Sequence, residues 1–332
     1  MRPGAAVWVG LIAALACAVH ATPAGTAPGT QGVPAAARDP GGDALWATMA
    51  GQIAAIDARG DGVLGVAVID LLGGRRFALR GDQEFAVAST IKLAVLLELY
   101  RQSEAAAGAR ACRLQDRYTL RGADVIDGSP ILAGLWGTRM GDGSSSGPSL
   151  PSLSNRDLAL FMTVASDNTA TNVLIDRVGM AAVNALCDRL GLAHTRLRRR
   201  MLDAAAVRAG RDNTSTPLEL ARLVQAIQEG QVIGAAATAD LMSILRQPKA
   251  GYFAAALPEE VALASKPGSV DGIRAEAGIV EVAGRPFVLA VIIGYARDGL
   301  LAERAITDVA AVVYRTFRTL AEHSPYGRRL PP

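Results

Sequence analysis

Strand-like segments stand at both ends of this chain and enclose a long helical middle, and that order constrains the fold more than any single residue does. Val63 to Asp70 and Arg75 to Leu79 alternate and branch like strands, and Gly73-Gly74 between them is a hairpin signal. Three more strands are expected at Val261 to Ser265, Ile273 to Val280 and Pro286 to Tyr295, before a closing helix from about Leu301 to Glu322. Helical patterning fills the span from Ser89 to about Gln247. Ser154 to Asp157 fits a helix-start box, Thr216-Pro217-Leu218-Glu219 fits one better, and Gly230 is a stop. Leu45, Met49, Ile53 and Ile56 recur at helical spacing and mark a first helix. Strands at both ends around helices imply two lobes with a cleft between them, a preferred place for a site.

Composition narrows the class. The 332 residues are 50% apolar and 20% charged, which suits a soluble protein with a sizeable core. Net charge is only +3, which argues against a dedicated nucleic-acid binder. Arginines 196, 198, 199 and 200 cluster locally and read as a solvated loop rather than a polyanion site. Arg2, the apolar run Ala5 to Val19 and the small residues of Val19-His20-Ala21 read as an export signal over 1–21. Ala14-Leu15-Ala16-Cys17 fits a lipoprotein signal poorly. No later segment reaches the ~20 apolar residues of a transmembrane helix, so a soluble, secreted or periplasmic protein is expected. Residues 22–42, rich in Pro, Gly and Ala, read as a flexible leader, and 324–332 as a tail. Cys112 and Cys187 remain after signal removal and stand open between a bridge and two buried thiols. With no Cys or His cluster, neither a metal nor a cofactor is expected.

Only three lysines occur among 34 basic side chains: Lys92, Lys249 and Lys266. Lysine can be tuned to lose its proton near neutral pH, whereas guanidinium cannot. Two of the three fall in short patterns that follow one another: Ser89-Thr90-Ile91-Lys92, Ser166-Asp167-Asn168 and Lys266-Pro267-Gly268. Each has a bland reading: a capping serine with a surface lysine, a helix-ending turn, an edge strand. Their order is what carries weight. Ser89 opens the amphipathic run Ile91 to Tyr100 and so is placed at a helix N-terminus, with Lys92 one turn on and able to take its proton when neutral. Ser166 can relay a proton to a leaving nitrogen, Asn168 can hold a substrate amide, and Asp167 braces the turn. Pro267 implies a strand edge, because it cannot donate to a ladder. If the N–H side there faces an opening, the N–H of Ser269 faces it too and joins that of Ser89 as an oxyanion hole. Lys266 adds a positive charge for a carboxylate and helps keep Lys92 neutral, so that two lysines distant in sequence converge on the Ser89 hydroxyl. Gly143-Ser144-Ser145-Ser146-Gly147 matches a nucleophile elbow, but lacks the strand before and the helix after that an elbow needs. It lies in a Gly- and Ser-rich surface insertion, Leu135 to Ser152.

The ordered set resembles the penicillin-recognising serine hydrolases, most closely the class A β-lactamases. The likeness runs from about Asp43 to Glu322. It includes Ser166-Asp167-Asn168-Thr169-Ala170-Thr171-Asn172 and Arg211-Asp212-Asn213-Thr214-Ser215-Thr216-Pro217. It implies an α+β fold: an antiparallel sheet of about five strands flanked by helices, in a lobe of residues 43–85 and 255–323. A helical lobe of 86–254 completes a catalytic domain of 43–323. It also implies acylation of Ser89 by a β-lactam or an acyl-D-alanyl amide, with Asn172 supporting the loop beside the site. The third motif departs from the family by carrying Pro267 where Thr or Ser is usual, and Ser269 can replace the lost hydroxyl.

A second departure concerns turnover. The family places a glutamate in the loop before Pro217 to activate the deacylating water. Matching the loop from its front puts Met201 there, and matching backward from Leu202-Asp203 gives Arg199. Asp203, the only carboxylate between Asp188 and Asp212, is left as either a substitute base or an ion-pair partner of a nearby arginine, with the pair slightly favoured. The leading expectation is an exported, monomeric β-lactam hydrolase with an acyl-Ser89 intermediate and slowed deacylation. The alternatives are a D-Ala-D-Ala peptidase of cell-wall peptides and a protein that acylates without turnover.

Overall fold

A computed structural model describes residues 40–105, 112–134 and 152–331. The expected export signal, the Ser145 elbow pattern and most of the leader lie outside them. Residues from Asp39 onward form one compact unit. Its centre is a five-stranded antiparallel sheet built from β1 (Val63–Asp70), β2 (Arg76–Leu79), β7 (Ala262–Val270), β8 (Ile273–Glu281) and β9 (Phe287–Gly294). The spatial order is β2-β1-β9-β8-β7, so β1 pairs with β9 across more than two hundred residues of chain, with Val66 opposite Val291.

Helices cover both faces, which is why β9 reads as an unbroken apolar run and is buried throughout. Val66, Val68, Leu289, Val291 and Ile293 point to one core with α1 (Pro40–Asp57) and α9 (Gly299–Glu322). Their neighbours Ala67, Ile69, Val288, Ala290 and Ile292 point to the other. That second core contains α2 (Lys92–Glu104), α3 (Asn155–Val164), α4 (Asn168–Val178), α5 (Met180–Arg189), α7 (Pro217–Gln228) and α8 (Ala235–Leu245). Each large aliphatic side chain so enclosed stabilises the fold by about 1.5–3 kcal/mol.

The capping signals acted as their chemistry predicts. Ser154 Oγ accepts from Asp157 N at the start of α3, and Thr216 Oγ1 accepts from Glu219 N at α7, with Pro217 in the first turn. Gly230, just past α7, takes φ 61°. Asp298 caps α9 through Leu300 N and Leu301 N, starting that helix two residues earlier than expected.

Four expectations need correction. The middle of the chain is not wholly helical: β4 (Arg117–Thr119) pairs with β5 (Ser152–Ser154), and β3 (Phe85–Ala86) with β6 (Thr214–Ser215). Ser152, read as part of an insertion, is therefore a strand residue. The run Ile91 to Tyr100 is not amphipathic, since every residue from Lys92 to Tyr100 is buried. Glu98 tolerates this because Arg101 and Gln102 donate to its carboxylate at 2.7 Å. Helix α1 begins at Pro40, inside the segment read as leader. Cys112 and Cys187 are free and buried, which resolves them as thiols. The four loop arginines each meet a carboxylate: Arg196 with Asp188, Arg198 with Glu84, Arg199 with Asp212 and Arg200 with Asp176. Among the described residues, no helix is long and apolar enough to cross a membrane.

Candidate active site

A 3₁₀ turn, Ala88–Ile91, carries Ser89 and runs straight into α2, whose first residue is Lys92. Thr90 ties the turn back to the carbonyl of Val87 through both its N–H and its hydroxyl. Ala88 sits at φ 46° and Ser166 at φ 53°, a conformation that costs a non-glycine residue about 1–3 kcal/mol and tends to gather at functional sites. Ser89 itself is half-buried.

Ser166 lies in the turn between α3 and α4, at the meeting point of the two motif lysines. Lys92 Nζ donates to Ser166 O at 2.7 Å, Ser166 Oγ at 3.1 Å and Asn168 Oδ1 at 3.0 Å. Lys266 Nζ, from edge strand β7, donates to the same Ser166 Oγ at 3.1 Å and to Pro267 O at 2.8 Å. The hydroxyl shared by both lysines is thus that of Ser166, whereas the sequence suggested Ser89. Asp167 braces the turn: its carboxylate accepts from Ala170 N, Ile131 N and Leu132 N. Asn168 also donates to Gly128 O at 3.0 Å, leaving its amide fixed at both ends.

β7 reaches Ser89 through Gly268. A Cβ at Gly268 would lie 2.8 Å from Ser89 N and 3.0 Å from Thr90 N, so only glycine permits this approach. Pro267 fits because β7 is the sheet edge, as its missing N–H requires. Ser89, Ser166, Asn168, Lys266 and Ser269 line one cleft of about 650 Å³, and Tyr252 joins them. Ser269 is exposed at its rim. The sequence did not flag Tyr252, which lines the same cleft wall as Ser269.

Two buried lysines, Lys266 in the cleft wall and Lys92 behind Ser166, meet at the Ser166 hydroxyl, and their charges interact. Burial drives Lys92 well below the usual lysine range, and the Lys266 charge pushes the same way against Asp167. Lys266 falls to about 7, chiefly through burial and then repulsion by Lys249, with Glu276 opposing. Near neutral pH this arrangement can hold a lone pair on one amine and a positive charge close by.

The loop before α7 is pinned to the site by Asn172, one turn beyond Asn168 on α4. Asn172 Nδ2 donates to Met201 O at 3.3 Å, and Met201 N donates to Asn172 Oδ1 at 2.7 Å. The residue held there is Met201, buried and packed into the core. Arg199 instead turns to Asp212, with Nε to Oδ1 at 2.9 Å. Asp203 is exposed and caps α6 (Ala204–Arg208), accepting from Ala206 N at 2.9 Å. It forms no ion pair among the described residues, which corrects the favoured reading: capping satisfied the carboxylate locally.

Residues 48–317 match the beta-lactamase enzyme family. The chain belongs to that family. Beta-lactamase OXY-2 from Klebsiella oxytoca is 31% identical over 236 residues, covering 69% of this chain and 75% of that enzyme. Among solved structures, a β-lactamase from Sphaerobacter thermophilus superposes with a TM-score of 0.71 at 29% identity, over 82% of this chain and 97% of that one. An ancestral class A β-lactamase gives 0.70 at 27% identity, over 81% and 100%. This β-lactamase-family chain therefore has the α+β fold of the class A enzymes, as its motifs implied.

Proposed function

We propose that the protein opens β-lactam rings by acylating Ser89, and that the ester so formed is released slowly. The observation that carries this reading is the three-motif knot facing one cleft: Lys92 and Lys266 on Ser166 Oγ, with Gly268 against Ser89 N. Neutral Lys92 takes the proton of Ser89 Oγ as that oxygen attacks the lactam carbonyl. The N–H groups of Ser89 and Ser269 stabilise the resulting oxyanion, a contribution of roughly 3–4 kcal/mol for each donor. As the C–N bond breaks, Ser166 passes a proton to the ring nitrogen, resupplied through the Lys92 amine. Lys266 meets the substrate carboxylate, and Asn168 its amide. Water must then cleave the ester, and the loop offers Met201 where the family has a base.

The test is intact-protein and peptide mass spectrometry after incubation with a labelled penicillin. One penicillin mass on the Ser89 peptide is expected, and an unmodified Ser89 in folded protein excludes the reading. Gly268→Ala, which must push β7 off the Ser89 turn, is expected to slow acylation by about 10- to 100-fold while leaving far-UV circular dichroism unchanged. Stopped-flow measurement checks this.

Met201 also favours a second reading, a D-Ala-D-Ala peptidase or a protein that stays acylated, since neither needs the loop glutamate. Rates on nitrocefin against a D-Ala-D-Ala peptide separate the peptidase. A nitrocefin burst of one equivalent with no following phase identifies the trap. The N-terminal segment supports export, so the site of action is outside the cytoplasm, on a monomer.

A further inference from the structure

Among the described residues, two combine a left-handed backbone with a large, exposed apolar side chain: Leu202 at φ 60° and Tyr295 at φ 59°. A Cβ disfavours that backbone and water disfavours the side chain, so local physics selects neither residue. Strain of this kind persists only where the surroundings impose it, and it gathers at active sites and ligand clamps. Tyr295 follows the end of β9, whereas Leu202 stands beside the cleft.

The surroundings that impose the strain lie on both sides of Leu202. Met201, immediately before it, has its N–H and C=O held by Asn172. Asp203, immediately after it, caps α6 through Ala206 N, and Ala204 N donates to Leu202 O at 2.9 Å. Leu202 is left 54% exposed, with its side chain at Gly128. A Cβ at Gly128 would meet Leu202 Cδ1 at 3.4 Å and Asn168 Nδ2 at 3.2 Å. The leucine methyl and the Asn168 amide therefore flank one point of the cleft wall. Gly128 is itself fixed: its C=O accepts from Asn168, and Ser129 Oγ meets both the N–H and the hydroxyl of Thr169 at 2.8 Å.

The cleft is thus polarised. Its charged lining, Lys266 and Glu303, comes from β7 and α9. Around the Asn168 turn the lining is Gly128, Pro130, Val164 and Ala165, none of them charged. A substrate with its carboxylate at Lys266 and its amide at Asn168 directs the group beyond the amide toward Gly128 and Leu202.

We propose that Leu202 is a specificity-determining residue: its exposed side chain forms an apolar shelf beside Gly128 for the group beyond the substrate amide. Substrates with an aryl or alkyl group there are taken in preference to those with a small or charged one. The substrate class rests on the acylation reading above, but the contact between Leu202 and an aryl group does not.

Two penicillins that share carboxylate and amide, one phenylacetylated and one acetylated, isolate that contact. The parent is expected to favour the phenylacetyl compound by about 10-fold in its second-order acylation rate, a discrimination typical of apolar pockets. Leu202→Asn, whose side chain tolerates the left-handed backbone, should collapse the ratio to about 2-fold or less, and Leu202→Met should keep it. A ratio that persists in Leu202→Asn overturns the proposal, including the case in which both rates fall together because the leucine is merely structural. Protein ¹³C-labelled at its leucine methyls gives a readout that needs no acylation. The methyl signals missing from Leu202→Asn should move with the phenylacetyl compound, through its ring current, and stay with the acetyl one. Moved signals in a protein that neither penicillin acylates sink the acylation reading and keep the shelf. Acylated Ser89 with unmoved signals keeps that reading and rejects the shelf, and neither response rejects both.

Discussion

Glutamate at position 201 is expected to speed breakdown of the acyl-enzyme by about 10²–10⁴-fold, the usual contribution of a positioned general base. The backbone needed to aim it is in place: Asn172 grips both the N–H and the C=O of Met201, on the same helix as Asn168. Met201→Glu exchanges an apolar side chain for a carboxylate of similar length within a buried environment, which favours a raised carboxyl pKa and hence a competent base. Single-turnover stopped-flow with nitrocefin separates the two steps. The burst amplitude and acylation rate should persist while the slow phase accelerates. An unchanged slow phase would mean that water reaches the ester without help from this loop.

Lys92→Met should act on the other step, lowering the acylation rate by about 10²–10⁴-fold through loss of the base. It also strips donors from Ser166 O, Ser166 Oγ and Asn168 Oδ1, so Ser166 loses its anchor as well as its proton source. Stability should respond in the opposite sense at low pH. The folded protein holds the Lys92 proton more weakly than the unfolded chain, whose value stays near 10.5. The native state therefore carries an ionisation penalty below its own midpoint, and the penalty fades as pH rises toward 10.5. The melting temperature of Lys92→Met, relative to the parent, should be most favourable in acid and decline through neutral to alkaline pH. A difference that does not vary with pH would show that Lys92 ionises as freely when folded as when unfolded.

What the sequence disclosed was what local chemistry encodes. Ser154, Thr216 and Gly230 act on backbone groups within a turn of themselves, so their meaning survives without knowledge of the rest of the fold. The hairpin at Gly73-Gly74 and the three late strands were visible for the same reason. Helix α2 was misread because periodicity reports a contrast between two faces, and a helix surrounded by protein has none. The two-stranded pairs failed for another reason: two or three residues at each of two distant places leave no pattern.

The site divided along the same line. The motifs identified the cleft-lining residues, but not which hydroxyl the lysines would share, since that depends on Ser166 taking a left-handed backbone that no residue type demands. Tyr252 belongs to no short motif and reaches the cleft from the segment after α8.

The pairing of β1 with β9 has a consequence for how the chain comes to be folded. A nascent polypeptide that has emerged only as far as α8 possesses only β1 and β2 of the central sheet, and an isolated two-stranded ribbon is marginal in water. Residues 287–294 must arrive before the central ladder can close. Chains truncated before β9 will therefore lack the closed central sheet, and refolding from denaturant should be slow, because its decisive contact joins segments at opposite ends of the molecule.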